Sequence, residues 1–336
     1  MKNFGLAAAT VGVIAGIATP VLADEIKVAH ITPEASAISQ ADLAFANELA
    51  EKSQGEHKFT FFWSGSLGAG NEIIPLIKGG AIRAGVTAPA YYPSDMPLSG
   101  VTNTVPALFP DAGVAMDVST ELRENAAVVA EFERNGVFPI IVQALPTAHL
   151  QCRDKVETLE DLKGKKVRSY GSFLPVMFES IGMVPVNMGL NEIYEGIERG
   201  VIDCTSFGYD LSKSYNIHEV APFYSDIALG AQSGPVFYAS WNDYKNGGWS
   251  DSFKAVVDEV AAKHLELRKE NAAKSEEAAL AFVQEKGVTL VPFQDQAKVD
   301  ELIPDMLALW AETQKKAGIP AEAVDSVVAI VKAKTN

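Results

Sequence analysis

Arg168 closes the run Glu157-Thr-Leu-Glu-Asp-Leu-Lys-Gly-Lys-Lys-Val-Arg168 and is the first choice in this chain for holding an anion. A guanidinium offers a planar fork of donors that matches a carboxylate, and its charge cannot be lost. The residues alone leave a plainer reading open, in which Arg168 follows two lysines onto the surface. His30, Tyr91, Tyr92, His149 and Tyr170 fall in segments expected at strand ends. Each alone fits an ordinary packed or surface residue. Together they describe a pocket with aromatic walls and a few neutral polar groups.

Catalytic patterns find little support. Gly68-Ala-Gly70 is not completed by a glycine at position 73, so the dinucleotide fingerprint fails. There is no Gly-x-Ser-x-Gly elbow, phosphate-binding Walker run or His-Glu-x-x-His zinc motif. Two cysteines and five scattered histidines show no metal spacing, and neither metal nor cofactor is expected. Carboxylates such as Glu276-Glu277 sit on helix faces, where solvation explains them.

The elements that must position these groups alternate. Glu25 to Ala29 reads as a strand ending at His30, and Ile38, Ala41, Phe45 and Leu49 keep helical spacing through Ser53. Strands over 58–63 and 81–88 flank a short helix over 71–78, a β–α–β–α–β half. Residues 114–135 read as helix, then Val137 to Ala144 as an apolar strand. In the next stretch, Thr158 and Asp161 fit a capping box and Gly164 a helix stop. Leu190, Ile193, Tyr194 and Ile197 form one helix face stopped at Gly200, with a strand from Val201-Ile202. Gly234 to Ser240 is a long strand. Asp251 to Lys286 holds no Gly or Pro, so one continuous helix would extend roughly 54 Å at 1.5 Å per residue. A break near Asn271 is the alternative. Two further helices are expected around Pro304 and Pro320.

Asp161-Leu-Lys-Gly-Lys-Lys-Val-Arg168, then Gly182-Met-Val-Pro-Val186, then Glu192-Ile-Tyr-Glu-Gly-Ile-Glu-Arg-Gly-Val-Ile-Asp203 resemble the core of the DctP-like solute-binding proteins of TRAP transporters. Trp63-Ser-Gly-Ser-Leu-Gly68 and the Lys78-Gly-Gly-Ala-Ile-Arg83 turn extend the likeness. The resemblance implies a periplasmic protein that delivers organic acids to a sodium-driven membrane permease. It implies that Arg168 binds the ligand's carboxylate, and that a long helix spans both domains, here 251–286. The sequence departs where the family usually places a ligand-binding Asn, offering Cys204-Thr-Ser-Phe207-Gly-Tyr209 instead. Phe207 supplies a π face in place of an amide, which argues against a simple dicarboxylate. A second Arg of sialic-acid-binding members falls near Ala148-His149, which argues against sialic acid.

At 336 residues the chain has room for two domains. Its formal charge of -15 argues against nucleic acid and anionic lipid as partners. Lys2, an apolar stretch from Leu6 to Leu22, and Val21-Leu22-Ala23 fit a cleaved signal peptide over residues 1–23. Export places Cys152 and Cys204, at the ends of expected neighbouring strands, in an oxidising compartment. A bridge would close a loop of about 50 residues and contribute roughly 4 kcal/mol; two buried free thiols are the other possibility.

The expected fold is α/β: two doubly wound domains with crossing strands and a spine helix, residues 24–143 plus 234–270 and residues 144–233 plus 271–336. The expected function is capture of a small organic acid between the domains by a monomer, and delivery to TRAP permease subunits. The expected ligand contacts are Arg168, His30, Tyr91, Tyr92, His149, Tyr170, Phe207 and Tyr209. A secreted α/β hydrolase or lyase acting on such an acid is the alternative from another class. An ABC-type binding protein and an exported sensor stand nearer.

Overall fold

Strand β1 (Asp24–His30) turns Ile26, Val28 and Ala29 into the core and leaves Asp24, Glu25 and Lys27 outside. The computed structural model describes residues 24–335, so the expected signal peptide lies outside the described residues. The helix Ala37–Lys52 follows, started by Ser36, whose hydroxyl accepts from the Ser39 N–H. Its buried stripe is Ile38, Asp42, Phe45 and Leu49. Strands β2 (His57–Phe62) and β3 (Ala84–Thr87) pair parallel on either side of β1. The expected helix over 114–135 is two helices, Ala112–Leu122 and Ala126–Arg134. Asn125 divides them because its side chain accepts from the Ala127 and Val128 N–H groups.

Strand β4 (Val137–Leu145) leads to a second sheet containing β5 (His149–Cys152), β6 (Lys166–Ser169), β7 (Val184–Asn187), β8 (Cys204–Phe207) and β9 (Phe223–Ser225). Val201 is exposed, and the strand expected there begins only at Cys204. Strand β10 (Gln232–Ser240) returns to lie antiparallel between β3 and β4. With β11 (Thr289–Val291), the orders are β2-β1-β3-β10-β4 and β11-β9-β5-β8-β6-β7. Each sheet is the centre of one α/β unit, the fold class expected from the sequence. Cys152 and Cys204 stand opposite each other where β5 and β8 pair, and they form a disulfide. The alternative of two thiols is thereby removed.

The spine helix, Asp251–Glu285, is unbroken. Its first half packs Phe253, Val257, Val260 and His264 toward the Ala37–Lys52 helix and β4. Its second half packs on the Tyr209–Ser214 helix of the other unit. The tail differs from expectation. Three helices, Gln296–Leu302, Met306–Lys316 and Ala321–Thr335, are separated at Pro304 and Pro320. The last buries Val324, Val327 and Val331 and packs on the Ala112–Leu122 helix of the first unit. The chain end therefore does not stay with the second sheet, where it was expected. Among the described residues, no helix is long and apolar enough to cross a membrane.

Candidate functional site

A cavity of about 260 Å³ lies between the two units. The first unit supplies Ile31, Ile38 and Tyr91; the second supplies Arg168, Tyr170 and Phe207. The spine helix crosses it with Leu267, Arg268, Asn271 and Glu276, in the stretch where that helix has no fully buried stripe. Contacts between the units surround the cavity. Ala37 N donates to Asp210 Oδ2 at 3.2 Å, and Asn191 Nδ2 donates to the Ser64 carbonyl at 3.2 Å.

Local folding sets the position of Arg168. Thr158 and Asp161 form the expected capping box, and Gly164, at φ +72°, turns the chain into β6. There Arg168 pairs with Val186 of β7. Its guanidinium lies over Tyr170 at 4.2 Å and near Phe207 at 6.0 Å. Nε donates to the Met188 carbonyl at 3.1 Å. Nη2 is buried and has no hydrogen-bond partner. The side chain is only 2% exposed, so it is packed in place rather than projecting into an open crevice.

Of the expected contacts, Arg168, Tyr91, Tyr170 and Phe207 meet at the cavity. His30, Tyr92, His149 and Tyr209 do not line it. His30 is the buried last residue of β1; its Nδ1 accepts from Thr32 N at 3.1 Å, which makes Nε2 the donor to Asp42 Oδ2 at 3.0 Å. Tyr92 points under the wall, where its hydroxyl donates to the Gly70 carbonyl and accepts from Ile74 N at 3.0 Å. Burial pushes that phenol up to about 12. His149 stacks on Tyr209 at 5.7 Å, and Tyr209 packs against Tyr224 at 4.5 Å, an aromatic cluster beside the cavity.

Sequence reasoning missed a second buried arginine. Arg268 donates from Nη2 to Asp42 Oδ1 at 2.7 Å and from Nη1 to the Val142 carbonyl at 3.2 Å. Burial alone would raise the Asp42 carboxyl, but Arg268 and then His30 outweigh it and hold it below the usual value. The signal was present. Asp42 stands on the stripe of Ile38, Phe45 and Leu49, and Arg268 follows Val257, Val260 and His264 at helical spacing. A charge on a buried stripe demands a buried partner.

Residues 28–316 match the DctP family, described as bacterial extracellular solute-binding protein, family 7. The chain belongs to this family. The 2,3-diketo-L-gulonate-binding periplasmic protein of Escherichia coli K12 is 23% identical over 297 residues, covering 84% of this chain and 87% of that one. A TRAP periplasmic solute-binding protein from Sulfitobacter sp. NAS-14.1, with bound β-D-galacturonate, superposes with a TM-score of 0.77 at 20% identity, over 91% and 99% of the two chains. An extracytoplasmic solute receptor of Bordetella pertussis binding pyroglutamic acid gives 0.79 at 16% identity, over 92% and 100%. At such identities the structural likeness establishes the fold. The protein is thus an extracytoplasmic solute-binding protein and not an enzyme.

In this solute-binding protein two carboxylates tie the walls together. Glu276 of the spine helix accepts from Tyr209 N at 2.6 Å and Asp210 N at 3.0 Å. A Cβ on Gly208 would come within 2.8 Å of that carboxylate, which would then have to shift. Asp210 in turn accepts from Ala37 N, at the start of the first unit's helix. Burial raises both carboxyls above their ordinary values despite these hydrogen bonds.

Proposed function

We propose that this periplasmic protein captures a small organic acid anion between its two units and delivers it to the membrane permease subunits of a TRAP transporter. The observation that carries the reading is the Nη2 of Arg168, a buried charged donor beside the cavity without a partner. A buried ion left alone costs several kcal/mol, and a ligand carboxylate supplies the missing acceptors. Tyr91 approaches from the first unit, its ring 6.2 Å from that of Tyr170 on the second. A ligand touching both favours the closed arrangement over the open one. Arg168, Tyr91, Tyr170 and Phe207 are therefore the proposed ligand contacts. His30, Tyr92, His149 and Tyr209 support the walls.

The relatives' named ligands are acids, which supports the same class here. Both walls come from one chain, which supports a monomer as the working unit. The relatives are described as solute-binding proteins, which supports this reading over the hydrolase or lyase alternative. A thermal-shift screen over organic acids tests the proposal. A true ligand at a hundredfold excess over its dissociation constant adds about 2.7 kcal/mol, and magnetic resonance should find it chemically unchanged. Conversion of the acid during incubation would overturn the reading.

A further inference from the structure

The cavity's polar atoms divide into those already engaged and those free to meet a ligand. Asn103 donates to the Ser233 carbonyl at 2.7 Å and accepts from Ala90 N at 3.2 Å. Gln232 donates to the Asn103 carbonyl at 2.9 Å, and Gln143 to the Ile38 carbonyl at 3.1 Å. Arg268 is neutralised by Asp42. Asp210 and Glu276 hold the helix starts described above. These groups build the walls. Arg168 Nη2 remains as the unpartnered cationic donor whose charge no neighbouring carboxylate offsets.

The rest of the lining is largely apolar: Ser206, Asn271, Ser275 and the Tyr91 hydroxyl are among its remaining polar groups, against Ile38, Leu145, Leu174, Met177, Leu229 and Pro235 spread over both units and the crossing strands. A hexuronate would bring several hydroxyls to walls that are mainly aliphatic, and each one buried without a partner weakens binding by about tenfold. A second carboxylate would share the cavity with Asp210 and Glu276 and meet no free cation.

We infer that the ligand is a monocarboxylate with an apolar body, a branched-chain or aromatic acid, rather than a sugar acid or a dicarboxylate. The inference rests on the anion-site reading of Arg168. Its carboxylate meets the free edge of that guanidinium, while its body lies among the aliphatic side chains and the rings of Tyr91, Tyr170 and Phe207.

Calorimetry on the mature protein, freed of bound solute by unfolding and refolding, tests this. The probes are phenylacetate and isocaproate, D-glucuronate and D-galacturonate, adipate, and uncharged phenylacetamide. At least one apolar acid should bind tenfold or more tighter than either hexuronate and adipate. Phenylacetamide should bind at least thirtyfold more weakly than phenylacetate. Met177→Gln should weaken the apolar acids about tenfold, with circular dichroism reporting that the variant is folded. Tighter binding of a hexuronate or adipate than of both apolar acids would overturn the inference and leave the anion site standing. No response to any of the acids would overturn the anion-site reading as well. Binding of phenylacetamide as tight as phenylacetate would do the same.

Discussion

Arg168 and Arg268 border the same cavity from opposite units, and both are almost wholly buried. Arg268 has a carboxylate at 2.7 Å and a carbonyl at 3.2 Å; Arg168 has one carbonyl at 3.1 Å and the face of a tyrosine. The paired guanidinium joins the spine helix to the Ala37–Lys52 helix across 226 residues of sequence. The unpaired one leaves its charge for something the chain does not supply. Residue type and burial are the same, so the partner list separates a structural cation from the one proposed to bind the ligand.

The largest expected effect breaks the paired member. Arg268→Ala strands the Asp42 carboxylate, and removing one partner of a buried pair costs about 3–5 kcal/mol. Chemical denaturation of the ligand-free protein should show that loss. A cost below about 1 kcal/mol, far short of that range, would mean that Asp42 is served well enough by His30.

Next comes the unpaired member, where the effect belongs on binding. Arg168→Ala should weaken the native acid by about 2–5 kcal/mol, roughly 30- to 5,000-fold. Arg168→Lys should recover only part, because a point charge lacks the planar fork. The packed position of Arg168 alters what stability should do. Truncation loses the contact with Tyr170, about 0.5–2 kcal/mol, but also removes an uncompensated buried charge. The ligand-free melting temperature should therefore move far less than for Arg268→Ala. Equal destabilisation by the two substitutions would erase the distinction between them.

A third measurement asks whether the two halves of the spine helix depend on each other. Pro in place of exposed Ala273 removes a backbone hydrogen bond between the stretch carrying Arg268 and that carrying Glu276, at about 3 kcal/mol. It should also weaken binding, since both halves line the cavity. Unchanged stability and affinity would mean that the halves act as separate helices.

The fold was legible because apolar spacing is local: β1, the Ala37–Lys52 helix and the spine each announce a buried face. The cysteine pair was legible as adjacency of strand ends, and Arg168 through a motif of known order. Direction was not legible. Tyr91 and Tyr92 are consecutive, yet the first faces the cavity and the second is buried against Gly70 and Ile74. His30 illustrates the same gap, since the end of a strand does not say which side chain points inward. Asp42 and Arg268 were each legible as a charge on a buried stripe, but not as a pair, because they sit in separate helices and only tertiary packing brings them together.

The smallest expected effect carries the comparison over to the carboxylates. Asp42, paired with a cation, has its pKa held below its ordinary 3.8, so its stabilisation is present above that value and lost as pH falls through the folded value. Glu276 has the opposite sign. Burial raises it above its ordinary 4.5, the backbone donors at residues 209 and 210 pull it back only in part, and the nearby Asp210 pushes it further up. The folded state then holds a proton that the unfolded state has released, so this group's contribution declines as pH rises from 4.5 through the folded value. Glu276→Gln keeps one acceptor oxygen for the start of the Tyr209–Ser214 helix and removes the titration. Melting temperatures of the two proteins, compared from pH 4.5 to neutrality, should show the wild type losing ground to the variant as pH rises. A difference that stays flat across that range would mean that Glu276 is already ionised at its lower end, with the two backbone donors outweighing its burial.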